Sequence, residues 1–125
     1  MSKSLKPLIL ICDDEEGIRE SFRLILEDDY ELVFAESGPS AIEKIKTLSP
    51  SLVILDIKMP KMHGLEALKE IKKLSPKTPV VIVSGYDSVE LAREAIKLGA
   101  ADYIPKPFKS DQILKLAQTA AHDGG

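Results

Sequence analysis

Acidic side chains stand at two separate places where a short apolar run ends. Asp13 and Asp14 directly follow the run Leu8 to Cys12, and Asp56 directly follows the run Leu52 to Leu55. Like charges brought close together would force protons onto some of these carboxylates unless a cation neutralised them. A small set of carboxylate oxygens suits Mg²⁺, which keeps several waters and shares its shell with phosphate oxygens. The pattern therefore predicts a magnesium site if the fold brings the acids together.

A hydroxyl and an amine complete a set of groups suited to phosphoryl transfer. Ser84 closes the run that begins at Val80, and Lys106 follows a short fifth run, Asp102 to Ile104. Transfer of a phosphoryl group to an aspartate needs a carboxylate nucleophile, a metal, a cation and a hydroxyl donor. The metal and Lys106 would offset the charge on the phosphoryl oxygens. Removal of Lys106 is expected to leave the fold intact, because a lysine at a strand end contributes little to a core.

Each of these residues also has a simpler structural explanation. The acids Asp13 to Glu16 could cap a first helix, and Asp56 could be a turn residue. Ser84 could cap the fourth helix, and Lys106 could be a solvated loop charge. The functional interpretation rests on their conjunction, because every one of these strand ends carries the side chain that the chemistry needs.

Short apolar runs alternate with segments of helical period along the chain. The predicted strands are Leu8 to Cys12, Leu32 to Ala35, Leu52 to Leu55, Val80 to Val83 and Asp102 to Ile104. The helical segments are marked by apolar residues three or four apart: Ile18, Phe22 and Ile25; Ala41, Ile45 and Leu48; Leu65, Leu68 and Ile71; Ala92 and Ile96; Ile113, Leu116 and Ala120. This alternation predicts a doubly wound α/β domain with a five-stranded parallel sheet, flavodoxin-like order 2-1-3-4-5 and helices on both faces.

The predicted topology brings the chemical groups together. In an open α/β sheet, ligands bind outside the carboxyl ends of the strands where the winding reverses, here between strands one and three. Asp13, Asp14 and Asp56 should therefore meet in one crevice, and Ser84 and Lys106 should point toward it.

Composition narrows the possible classes of protein. The 125 residues are 44% hydrophobic and 30% charged, which predicts one domain over residues 1–125. A net charge of −3 gives no attraction to phosphate backbones, so we expect no direct binding of nucleic acid. No apolar run is long enough for a bilayer and the N-terminus has no signal-like apolar region, so we expect no membrane association and a cytoplasmic location. Cys12, the single cysteine, is expected to pack as a small hydrophobe, and it forms no zinc ligand set with the two histidines.

Four stretches of the sequence resemble receiver domains of two-component response regulators. They are Ile11 to Glu15, Leu55 to Pro60, Val83 to Gly85 and Tyr103 to Phe108. The resemblance runs from Leu8 to about Ala120, which would be the core of the domain. The stretch from Ala95 to Phe108 looks most like receivers of nitrogen-regulatory transcription activators.

The resemblance implies a role for each residue of the crevice. Asp56 would be the phosphoacceptor, Asp14 a direct Mg²⁺ ligand, and Asp13 a ligand acting largely through a metal-bound water. The backbone carbonyl of Lys58 would complete the protein ligands. Ser84 would bind the phosphoryl group, Lys106 would pair with it, Tyr103 would be the aromatic switch residue, and the Lys106–Pro107 bond would be cis.

The resemblance also implies partners. The phosphoryl group would come from a sensor histidine kinase or a phosphotransfer protein, and the domain would catalyse only its own phosphorylation and dephosphorylation. The switched surface would be the face of helix 4, strand 5 and helix 5, which would bind an output domain or a second receiver. Lys58 and Tyr86 stand at positions that tune dephosphorylation in this family, and His63 is expected to be a loop residue.

Other proteins with related chemistry fit less well. A haloacid-dehalogenase-type phosphatase needs a second aspartate where this chain has Lys58, and a flavodoxin-type binder needs a phosphate-cradling loop where this chain has acids. The closest alternative is a degenerate receiver that acts as a constitutive interaction module. Such a domain usually lacks a residue of the acidic pocket, whereas this sequence retains them all.

Overall fold

The computed structural model describes residues 6–58, 62–85 and 89–123. The strands are β1 (Leu8–Cys12), β2 (Glu31–Ala35), β3 (Leu52–Leu55), β4 (Val80–Ser84) and β5 (Asp102–Pro105). The helices are α1 (Glu16–Leu26), α2 (Gly38–Thr47), α3 (Gly64–Leu74), α4 (Val89–Lys97) and α5 (Ser110–Asp123). The five strands form one parallel sheet in the order β2-β1-β3-β4-β5, which confirms the predicted fold class and topology.

The sheet has a hydrophobic core on each face because side chains alternate along its strands. In β1, Leu10 and Cys12 join a cluster that includes buried residues of α2, α3 and α4. Ile9 and Ile11 point the other way, into a cluster with buried residues of α1 and α5. Strands covered on both faces have continuous apolar runs, which explains why such runs located β1, β3 and β4 in the sequence. Burial, followed by the charge of Asp13, raises the pKa of the Cys12 thiol, as expected for a cysteine inside the core.

The fifth strand is one residue longer than the sequence predicts. Pro105 was expected to end it because proline cannot donate to a ladder, yet β5 includes Pro105 in register with Ser84. The Ser84 carbonyl accepts its hydrogen bond from the amide of Lys106 instead, at 2.8 Å. Since β5 is an edge strand, the missing N–H of Pro105 leaves no gap in the sheet.

The fourth helix buries a different residue from the one that its apolar spacing suggests. Ala95 is fully buried in α4, and Leu91 packs partly against the same cluster. Ile96 is 48% exposed and Val89 is 68% exposed. The helix therefore presents part of its apolar surface outward.

Candidate functional site

The acidic residues predicted to meet do lie together. One carboxylate oxygen from each of Asp13, Asp14 and Asp56 lies within 4.8 Å of the others. The sheet register explains this, because Cys12 at the end of β1 is paired with Leu55 at the end of β3. The side chains that follow these two residues therefore leave the sheet at the same edge. Asp13 and Asp56 are buried, whereas Asp14 is exposed.

Lys106 lies among these carboxylates. Its Nζ is 2.8 Å from Asp13 Oδ2, 3.4 Å from Asp56 Oδ2 and 3.5 Å from Glu15 Oε1. The lysine side chain is 13% exposed, so it is not the solvated loop charge of the simpler explanation. The Lys106–Pro107 peptide bond is cis, as the resemblance implies.

Burial and neighbouring charges shift the pKa values of Asp56 and Lys106. Burial and then the charge of Asp13 raise the pKa of Asp56, and both Lys106 and a hydrogen bond from the backbone of Lys58 act in the opposite direction. Burial alone would lower the pKa of Lys106, but its hydrogen bonds and charge interactions with Asp13 and Asp56 outweigh that effect and raise it. Lys106 therefore remains a cation, and it stabilises the ionised form of Asp56.

The backbone turns after the two buried acids fix their carboxylates. Asp13 Oδ1 accepts a hydrogen bond from the amide of Glu15 at 3.0 Å, and Asp56 Oδ1 accepts one from the amide of Lys58 at 3.3 Å. Each acid thus bonds to the chain two residues further on, in the manner of an Asx turn. The residue before α1 is Glu15, which makes no side-chain capping bond. Helix capping therefore does not account for the acids after β1.

The cluster opens into a cavity of about 440 Å³ at the carboxyl edge of the sheet. The residues that line it are Asp14, Glu15, Asp56, Lys58, Ser84, Gly85 and Lys106. Ser84 is the last residue of β4 and is fully buried. Tyr103 is on β5, in register with Ile82 and partly buried against the core, and it is not among the residues that line the cavity. Tyr86 lies outside the described residues.

The donor set at this edge suits a hard cation such as Mg²⁺. It offers oxygen from three carboxylates, and Lys58 lies beside them in the cavity wall. Cys12 and His63, the zinc-type ligands whose side chains the structure describes, are engaged elsewhere. Cys12 is buried in the core, and His63 precedes α3, where its Nδ1 accepts a hydrogen bond from the amide of Leu65 at 3.2 Å. Oxygen-only coordination with few protein ligands is the arrangement typical of Mg²⁺.

Two contacts near the acids were not predicted from the sequence. Glu15 contributes a third carboxylate near Lys106, and its position beside Asp13 and Asp14 was a signal that could have indicated it. Arg19 donates from Nη1 to the backbone carbonyl of Asp13 at 2.8 Å. Its separation of six residues from Asp13 matches no motif, so the tertiary structure alone reveals this contact.

A search of the described helices finds no segment with the length and apolar character needed to span a membrane.

Comparison with known proteins gives consistent matches along nearly the whole chain. Residues 9–118 match the family model for the response regulator receiver domain. Regulatory protein AtoC of Escherichia coli K12 is 37% identical over 113 residues, which are 90% of this chain and 24% of AtoC. Transcriptional regulatory protein ZraR of Klebsiella oxytoca is 40% identical over 91% of this chain and 26% of its own length. Chemotaxis protein CheY of Bacillus subtilis is 39% identical over 86% of this chain and 91% of CheY. The chain therefore spans about a quarter of the length of AtoC and of ZraR and most of the length of CheY.

Solved structures with the same fold are also similar in sequence. A CheY-like receiver domain protein from Methanospirillum hungatei superposes with a TM-score of 0.91 at 34% identity, covering 97% of each chain. The receiver domain of NtrX from Brucella abortus superposes with a TM-score of 0.85 at 42% identity, covering 91% of this chain and 98% of its own.

Proposed function

We propose that this chain, which belongs to the response regulator receiver domain family, accepts a phosphoryl group on Asp56. Phosphorylation would change the conformation of a protein-binding surface. The observation that carries this proposal is the position of Asp56, whose buried carboxylate lies close to that of Asp13 and 3.4 Å from the amine of Lys106 in the wall of an open cavity. The phosphoryl donor would be a sensor histidine kinase or a phosphotransfer protein.

A divalent cation completes the proposed site. The carboxylates of Asp13, Asp14 and Asp56 and the backbone carbonyl of Lys58 would hold Mg²⁺, with Asp14 as a direct ligand and Asp13 acting largely through water. When bound, Mg²⁺ supplies positive charge that stabilises the phosphoryl oxygens during transfer.

Three side chains have different roles in the proposed phosphoryl transfer. A carboxylate oxygen of Asp56 forms the new bond to phosphorus while the bond from phosphorus to the donor's leaving group breaks. Lys106, held protonated by its acidic neighbours, pairs with a phosphoryl oxygen from its position 3.4 Å from Asp56 Oδ2. Ser84 at the end of β4 donates its hydroxyl to another phosphoryl oxygen. Positioning and electrostatics thus supply most of the acceleration, and the domain acts only on its own phosphorylation and dephosphorylation.

The signal would leave the site through Ser84 and Tyr103. Ser84 leads into the segment before α4, of which residues 86–88 lie outside the described residues. Movement of Ser84 toward the phosphoryl group would shift α4 and let Tyr103 turn inward. The face of α4, β5 and α5 would then bind an output domain or a second receiver. Its exposed apolar residues Val89, Ile96 and Leu114 are suitable contacts.

The rest of the proposal concerns the setting of the domain. Residues 1–125 would form a single receiver domain in the cytoplasm, without direct contact to nucleic acid or membrane. The net charge of −3 supports the expectation about nucleic acid, because phosphate backbones attract basic surfaces.

Intact-mass spectrometry after incubation with acetyl phosphate and Mg²⁺ tests the proposed chemistry. The wild-type protein should gain one phosphoryl group, and Asp56→Asn should gain none because the nucleophilic oxygen is replaced by an amide. Asp102→Asn, at an exposed position on β5, is the matched control and should react like the wild type. Asp14→Ala should lose Mg²⁺ binding and phosphorylation together. Phosphorylation of Asp56→Asn at the wild-type rate would contradict the assignment.

The same experiment tests the alternative of a degenerate receiver that works as a constitutive interaction module. No observation favours that alternative, since Asp13, Asp14, Asp56 and Lys106 are all present and close together. A wild-type protein that takes no phosphoryl group and binds no Mg²⁺ would support it.

A further inference from the structure

Arg19 provides a hydrogen bond that the proposed chemistry does not explain. It lies in α1, and its guanidinium Nη1 donates to the backbone carbonyl of Asp13 at 2.8 Å. The other polar groups of Asp13 have partners as well. Its amide donates to the carbonyl of Ala35, and its carboxylate accepts from the amide of Glu15 and from Lys106. Because Asp13 is only 2% exposed, its carbonyl would be costly to leave without a partner, and Arg19 supplies one.

The position of that carbonyl matters for the next residue. It belongs to the peptide bond that joins Asp13 to Asp14, and a peptide unit is rigid and planar. Fixing the carbonyl oxygen therefore fixes the direction in which the chain continues to the Cα of Asp14. The Asp14 carboxylate is exposed, and nothing in the described part of the chain holds it by a hydrogen bond or an ion pair. Its direction is thus set by the backbone rather than by side-chain contacts.

We propose that Arg19 is a positioning residue, which holds the Asp13–Asp14 peptide so that Asp14 faces the Mg²⁺ site. This inference rests on the proposed function of the site. Arginine suits the task because its planar fork is preorganised and always charged, so it donates to a carbonyl with little loss of freedom. Among the described residues no carboxylate lies within 4.0 Å of Arg19, so the bond to the Asp13 carbonyl does not compete with an ion pair.

A second arginine on the same helix offers a matched control. Arg23 lies one turn further along α1 and pairs with Glu20 and Glu27 on the exposed surface. Removing Arg23 deletes an arginine and its surface ion pairs but no contact with Asp13 or Asp14. An effect that appears in Arg19 variants and not in Arg23 variants is therefore a property of the contact with Asp13.

The experiment compares Mg²⁺ binding by the wild type, R19M, R19K and R23M, followed through amide chemical shifts. We expect R19M to raise the Kd for Mg²⁺ about 10-fold, the lower end of the range for loss of a partner outside the ligand shell. R19K keeps a donor and a charge and should recover most of the affinity, and R23M should bind like the wild type. At saturating Mg²⁺, phosphorylation of R19M by acetyl phosphate should return to near the wild-type rate, which general structural damage would not allow.

Amide hydrogen exchange of Glu15 without metal gives a second readout. The Glu15 amide is bonded to Asp13 Oδ1, so it should exchange faster in R19M and not in R23M. If R19M does not fold, R19Q, which keeps a shorter uncharged donor, replaces it with the same expected loss of affinity. Unchanged Mg²⁺ affinity and unchanged Glu15 exchange in the Arg19 variants would overturn this inference and leave the proposed function standing. A wild type without Mg²⁺ affinity would overturn both.

Discussion

At the scale of single residues, Lys106 places a positive charge against carboxylates that have little access to solvent. The side chains of Asp13 and Asp56 are 2% and 5% exposed, and Lys106 itself is 13% exposed. Breaking a buried ion pair by removing one partner costs about 3–5 kcal/mol, because the other charge remains buried and uncompensated. The cavity beside Lys106 admits water, which reduces this cost.

We predict that Lys106→Met lowers the free energy of unfolding by about 2 kcal/mol without metal, less than the loss for a fully enclosed pair. Mg²⁺ should restore part of the loss, because it neutralises the same acids. Urea unfolding with and without Mg²⁺ measures both effects, and Lys109→Met, at an exposed position, is the control. The predicted loss of stability differs from the expectation drawn from the sequence, which is that removal of Lys106 leaves the fold intact. Equal stability of Lys106→Met and wild type without metal would support that earlier expectation.

At the scale of elements, the start of α3 is packed directly against the chain that carries Asp56. The amide of Gly64 donates to the carbonyl of Ile57 at 2.7 Å. A Cβ added at Gly64 would lie 2.3 Å from Ile57 Cα and 2.6 Å from the carbonyl oxygen of Asp56. These neighbours are backbone atoms, which cannot move aside as a flexible side chain would. The absence of a side chain at Gly64 thus lets α3 approach the proposed phosphoacceptor.

We predict that Gly64→Ala destabilises the protein by about 3 kcal/mol, at the upper end of the usual cost of overpacking. It should also slow phosphorylation by acetyl phosphate, because the displaced backbone carries Asp56. Gly17→Ala in α1 is the control, since a Cβ there meets nothing within 4 Å. Gly17→Ala should raise stability by about 0.5 kcal/mol through the higher helix propensity of alanine. Denaturant unfolding compares the two variants, and a neutral Gly64→Ala would show that the backbone can yield.

At the scale of the whole molecule, the helices differ in how firmly they are attached to the sheet. Buried residues of α3 are Gly64, Ala67, Leu68 and Ile71, whereas α4 has Ala95 as its buried residue. Elements with little buried apolar surface are the ones that open or shift at low cost. The helix next to Ser84 is therefore suited to move when the site changes. Phosphorylation need only favour the shifted arrangement for its population to rise.

We predict that beryllofluoride with Mg²⁺, a mimic of the phosphoryl group, changes amide chemical shifts in α4 and β5 as well as around the cavity. The amides of Val89–Lys97 and of Asp102, Tyr103 and Ile104 should move, and those of α2, which packs against β2 at the other edge of the sheet, should stay in place. Two-dimensional nitrogen–proton spectra with and without the mimic provide the measurement. Shifts limited to the residues that line the cavity would rule out transmission through α4 and β5.

The sequence by itself determined the fold and the positions from which the site is built. Apolar runs of strand length alternating with helical periods predict one sheet topology, and that topology places the residues after β1 and β3 at one edge. The sequence is therefore enough to group Asp13, Asp14 and Asp56, because strand order and the direction of parallel strands place them at one edge. The positions of β1, β3 and β4 were equally readable, because burial on both faces leaves a continuous apolar run.

Only the tertiary structure decided how these residues are held. The bond from Arg19 to the Asp13 carbonyl, the burial of Lys106 and the close approach of Gly64 to Ile57 depend on how loops and elements meet, which no local sequence pattern reports. The buried face of α4 was also decided there, since its apolar residues fit more than one orientation and packing selected Ala95 over Ile96. Periodicity reports which face of an element is apolar, whereas contact distances depend on how complete elements pack against one another.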